Sequence, residues 1–90
     1  MFNTFRRATA DDLAAVKAAA ERFCTRNDIA LWADSDPVFE ISCYVETTRY
    51  HDPAAASTLA RQWAACMCRS LGVSYTRNIG IAYGHVGASV

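Results

Sequence analysis

The chain has 90 residues, 52% of them hydrophobic and 20% charged, and its nine basic side chains are balanced by nine acidic ones. That length caps the molecule at one domain, residues 1–90, with a single two-layer core, and the few Gly and Pro residues exclude a disordered chain. Zero formal charge gives no global pull toward nucleic acid or an acidic membrane, and no apolar run reaches the ~18 residues of a membrane span.

The start, MFNTFRRATADD, lacks the layout of an export signal, so the four cysteines are expected as reduced thiols in a bacterial cytoplasm rather than as disulfides. Eight of the nine basic residues are Arg, alongside seventeen Ala. A GC-rich bacterial or phage coding sequence accounts for that bias; the functional alternative is Arg chosen for planar, bidentate contacts to carboxylate or phosphate.

In chain order, MFNTFR places Phe2 and Phe5 in a short, weak strand. Thr9 and Asp12 have the spacing of a capping box, with Asp in place of Glu. Leu13, Val16, Ala20, Phe23 and Cys24 then recur at helical spacing, which predicts a helix over about 10–27. Arg22 and Arg26 oppose the macrodipole near its end. Residues 29–33 read as a short strand, 34–37 as a turn and 38–47 as a longer strand in strict alternation. Phe39, Ile41, Cys43 and Val45 would face the core; Glu40, Ser42, Tyr44 and Glu46 would face outward.

After a hairpin, Asp52 as N-cap and Pro53 at the first helical position open a second helix over about 54–71. Its apolar stripe is Leu59, Trp63, Cys66, Met67 and Leu71, and Gly72 closes it. Residues 73–83 read as the last strand, with Val73, Tyr75, Ile79, Ile81 and Tyr83 in phase and a bulge or turn near 76–78. Small residues make 84–90 a flexible tail. The expected fold is therefore α+β, a two-layer sandwich ordered β-α-β-β-α-β (ferredoxin-like), or α-β-β-α-β without the first strand. Two helices would cover one face of an antiparallel sheet and leave the other open.

Chemistry is sparse. Residues two apart on a helix point ~200° from each other, so Cys66 and Cys68 cannot share an ion. Cys24, Cys43 and His51 show no zinc-site spacing, and C-x-C is not the redox C-x-x-C. Cys24, Cys43 and Cys66 are expected in the core, with Cys68 off the stripe. Asp52 is better explained as a cap than as a partner for His51. On a strand Glu40 and Glu46 would stand ~20 Å apart at ~3.3 Å per residue, too far for an acid–base pair. Nucleotide-binding and hydrolase motifs are absent from the sequence. No enzymatic activity, cofactor or metal is expected.

Function is then expected on the open face and its loops, at Trp32, Glu40, Tyr44, Glu46, Arg49 and Tyr50. Trp, Tyr and Arg anchor interfaces, and the two glutamates repel phosphate and favour a basic protein partner. A short, neutral α/β chain rich in Ala and Arg, with no catalytic motif and the acidic, aromatic segment Glu40-Ile41-Ser42-Cys43-Tyr44-Val45-Glu46, resembles the small phage-encoded anti-CRISPR proteins. The resemblance implies a non-enzymatic inhibitor that binds a Cas subunit or effector nucleoprotein complex and blocks DNA recognition or nuclease recruitment. The alternatives are a nucleic-acid-binding accessory module using Arg6, Arg7, Arg49 and Arg77, and a homodimer or larger homo-oligomer that pairs open sheet faces.

Overall fold

The computed structural model describes residues 4–82 and 84–89. Phe2 and Tyr83, expected in the first and last strands, and Val90 of the expected tail lie outside the described residues. The elements are β1 (Thr4–Arg7), α1 (Ala10–Arg26), α2 (Pro37–His51), α3 (Pro53–Leu71), β2 (Asn78–Ala82) and β3 (His85–Ser89). The class is α+β, as expected, with helices packed on an antiparallel sheet. The arrangement is not ferredoxin-like: three helices run consecutively, and the strand order is β1-β3-β2.

Helix α1 begins where the capping box places it. Thr9 Oγ1 accepts from the Asp12 amide at 3.1 Å, and the Asp12 carboxylate accepts from the Thr9 amide at 2.8 Å, satisfying two amides the helix leaves open. The chain leaves α1 through Asp28 in the left-handed region, φ 54°, a conformation that Asp tolerates better than most residues. Residues 29–33 form no strand. Both ladder positions beside the central β3 are taken by β1 and β2, and Ile29 and Leu31 instead pack half-buried against the helical core.

The main correction concerns the expected strand over 38–47, which is the middle of helix α2. Asp36 Oδ1 accepts from the Val38 amide at 3.0 Å and Pro37 occupies the first turn, the same device that starts α3 at Asp52 and Pro53. Val38, Ile41 and Val45 recur at three and four residues and all pack into the core. The expected hairpin after residue 47 is also replaced. Asp52 alone separates α2 from α3: its N–H donates to the Thr48 carbonyl at 2.7 Å, and its Oδ1 accepts from the Ala55 amide at 3.1 Å.

Helix α3 matches its expected span and ends at Gly72, whose φ of 68° suits a residue without Cβ. Among the described residues of the expected last strand, Asn78–Ala82 form a strand and 73–77 do not. Residues 73–77 instead fold back on the helix end, where the Val73 amide donates to the Cys68 carbonyl at 3.0 Å. The expected flexible tail is largely β3, the central strand, paired to β1 from Thr4↔Ala88 to Arg7↔His85 and to β2 from Asn78↔Ser89 to Ala82↔His85. Its small residues suit that place, because Val86 and Ala88 are buried beneath the helices.

The core has two parts. Phe23, Cys24, Ile41, Val45, Ala56 and Cys66 join the helices to one another, while Val16, Met67, Leu71 and Val86 join them to the sheet. Trp63 and Val38 pack against both parts, and the Trp63 ring lies 5.5 Å from that of Phe23. Arg6 completes the tie between layers. Its guanidinium takes both Asp12 carboxylate oxygens, at 2.5 and 3.1 Å, and donates to the Leu71 carbonyl at 3.2 Å, linking β1, the start of α1 and the end of α3. Among the described residues no helix is long and apolar enough to cross a membrane.

Two outcomes follow. Trp63→Ala removes the ring shared by both core parts and should cost ~3 kcal/mol in urea unfolding; a loss below ~1 kcal/mol would contradict that placement. The Arg6 guanidinium, with the Thr9 amide, holds the Asp12 carboxyl well below the usual carboxylate range. A folded pKa below the unfolded ~3.9 contributes stability that is fully present above that value and lost as pH falls toward the folded one. Melting temperature should therefore fall less steeply below about pH 4 in Arg6→Gln than in the parent; parallel acid profiles would refute the link.

Candidate functional site

At ~100° per residue, the face of α2 opposite Ile41 and Val45 carries Phe39, Cys43, Glu46 and Tyr50, spaced four, seven and eleven residues from the first. Phe39 and Cys43, expected in the core, are both exposed because the segment turns with a helical rather than a two-residue period. Phe39 is 61% exposed and Tyr50 89%. Trp32, 74% exposed, stands in the turn before the helix. That turn is held by reciprocal bonds: the Trp32 amide donates to Ser35 Oγ at 2.8 Å, and the Ser35 amide donates to the Trp32 carbonyl at 3.0 Å.

Of the other expected site residues, Glu40, Tyr44 and Arg49 lie off that face. Glu40 is half-buried in the first turn of α2, and Tyr44, 38% exposed, lies on the flank of the helix. Glu46 pairs with Arg49 across one turn at 3.3 Å, an exposed contact that contributes little to stability. Trp32, Glu46, Arg49 and Tyr50 keep their expected exposure, whereas the alternating set Glu40, Ser42, Tyr44 and Glu46 is spread around the helix.

Beside this face an apolar groove of about 370 Å³ runs between α2, α3 and the free edge of β2, lined by Val38, Val45, Trp63, Met67 and Ile79, with Glu46 and Arg77 of opposite charge on its wall. The outer sheet face carries Phe5 stacked on His85 at 4.9 Å. Among the described residues, no three His, Cys, Asp or Glu side chains gather in a metal-holding group.

The thiols divide differently from expectation. Cys24, Cys66 and Cys68 are buried and Cys43 is exposed. Cys68 lies off the expected stripe, but residues 73–77 cover it, and its Sγ donates to the Thr76 carbonyl at 3.6 Å. Burial pushes the Cys24 thiol up, with the Glu40 and Glu21 charges adding to the effect, so it is held as the neutral form. A water-soluble alkylating reagent should therefore modify Cys43 well before Cys24, Cys66 or Cys68, as read by peptide mass spectrometry. Faster labelling of Cys68 than of Cys43 would place residues 38–47 back in a strand.

Comparison with known protein families, curated proteins and solved structures returns no significant match, so the geometry alone bears on function.

Proposed function

We propose that this chain is a non-enzymatic protein-binding domain that lays the outer face of α2, extended by Trp32, into a groove on a basic partner. The observation that carries the reading is the exposure of three large aromatic side chains, Trp32, Phe39 and Tyr50, on one helix and the turn that leads into it. Exposed large aromatics anchor interfaces, and Phe39 and Tyr50 on one helix face fit helix-in-groove recognition. Asp34, Asp36, Glu40 and Glu46 lie along the same segment against Arg49, a balance that favours a basic surface opposite.

The narrower reading is an anti-CRISPR inhibitor acting in a bacterial cytoplasm on a Cas effector complex. Its support is the resemblance in size and composition, together with the fit between an acidic, aromatic helix and a basic nucleoprotein surface. The nucleic-acid alternative loses support because Arg6 is committed to Asp12 and Leu71, and Arg49 is paired with Glu46.

The test is capture from a bacterial lysate with the parent and with Phe39→Ala/Tyr50→Ala, followed by identification of the bound proteins. Both side chains are exposed, so the melting temperature should stay within a few degrees, while a basic protein or nucleoprotein complex retained by the parent should be lost from the variant. With that partner purified, affinity should drop ~100-fold or more, and Glu46→Lys on the same face should weaken it further. Equal capture by parent and variant would reject the α2 face. Salt-sensitive retention of DNA or RNA by the parent would favour the nucleic-acid reading, and a concentration-dependent dimer disrupted by the same substitutions would show that the partner is a second copy.

A further inference from the structure

Away from α2, the second half of α1 packs along α3, and the groups nearest the sulfur of Cys66 are guanidiniums. Arg26 Nη2 lies 3.4 Å from Cys66 Sγ, and Arg69 Nη2 lies 3.5 Å from the same atom. Arg22, one turn before Arg26, lines the same cavity of about 330 Å³ with Ala19 and Ser70. Three cationic side chains from two helices thus surround one concavity whose wall includes a thiol only 8% exposed.

Among the described residues no carboxylate forms an ion pair with them; the ion pairs there are Arg6 with Asp12 and Arg49 with Glu46. Glu21 lines a neighbouring shallow cavity with Arg22 and Arg26, yet makes no ion pair with either. Like charges one turn apart repel, and a third on the facing helix adds to the field. Helix polarity accounts for Arg26 and Arg69, each in a last turn, but not for Arg22, nor for two guanidiniums converging on one sulfur. Sulfur is a weak acceptor. Holding two guanidiniums beside it steers their planes while leaving most of their donors for a stronger acceptor.

We propose that the cavity bounded by Arg22, Arg26 and Arg69 is a binding site for a compact phosphate, either free phosphate or the terminal phosphate of a small phosphorylated molecule. Guanidiniums match phosphate oxygens with paired, charge-assisted bonds. The volume sits at the low end of the ~300–1,000 Å³ of small-molecule sites, which suits a small phosphorylated molecule as well as phosphate itself. A nucleic-acid backbone would need the charge to continue in a stripe. Instead Arg7 lies on the sheet and Arg77 beside the α2 groove.

The experiment is calorimetric titration of the intact protein at low ionic strength with inorganic phosphate and, separately, with ADP, against chloride at matched ionic strength. One-to-one saturable binding is expected, weakened at least tenfold in Arg26→Gln and in Arg69→Gln and unchanged in Arg61→Gln, whose guanidinium bonds Ser57 and Thr58 away from the cavity. Bound phosphate should slow alkylation of Cys66 and leave that of Cys68 as it was. Tighter binding of ADP than of phosphate assigns a phosphorylated small molecule; equal affinities assign phosphate itself. Circular dichroism checks that the variants fold, and Arg22→Gln, which breaks no bond to Cys66, keeps the test intact if either of the others does not. Absence of saturable binding, affinity unchanged in the arginine variants, or retention only of single-stranded oligonucleotides would overturn the proposal.

Discussion

Everything in the helical layer depends on a break forced at Asp52. Proline disfavours the helical conformation in the residue before it and cannot donate an amide to the preceding turn, so α2 cannot run on into α3. Asp52 makes the break cheap. Its amide closes the last turn of α2, and its carbonyl and carboxylate accept from the Ala56 and Ala55 amides in the first turn of α3. With a single residue between them, the two helices must fold against each other. That brings Ile41 and Val45 together with Ala56 and Cys66 in one core.

The same fold-back makes α3 the common wall of the molecule. Trp63 joins the inter-helix core to the sheet-facing core, and Arg6 fastens the far end of the helix to the first strand. The sheet has its own constraint, since its centre is the C-terminal strand and its edges come from residues 4–7 and 78–82. β2 and β3 pair as sequence neighbours, with Ala82 opposite His85, whereas β1 comes from residues 4–7, so the sheet is complete only when the two ends of the chain meet. What remains exposed is then decided by packing: one side of α2 is spent on the core, and the aromatic side is left over.

How much of this was legible in the sequence follows from which residues can distinguish two periods. Helices α1 and α3 were readable because a capping box, an Asp-Pro start and a glycine end agree with long apolar stripes. Helix α2 was not, because Ile41 and Val45 are four apart and therefore in phase for a strand and a helix alike. Phe39 and Cys43 completed the strand pattern, and Val38 alone completed the helical one. The decisive signal is Asp36-Pro37, the same helix-starting pair as Asp52-Pro53, which also fits a turn. Strand β3 was hidden because Gly and Ala, poor strand formers on their own, are accepted where neighbours on both sides supply the hydrogen bonds. For the candidate surface, the exposure of Trp32 and Tyr50 is legible in the sequence; Phe39 and Cys43 mimic core positions through the same false alternation, whereas Cys68 is buried because residues 73–77 fold over it.

The claim on which both the architecture and the exposed aromatic face stand is that residues 37–51 are helical and stop at Asp52. Backbone Cα chemical shifts of the intact protein in solution test it most directly. The account predicts helical shifts from 37 to 51, a single non-helical residue at 52, and helical shifts again from 53 to 71. Extended-type shifts over 38–47, or an unbroken helix through Asp52, would contradict it.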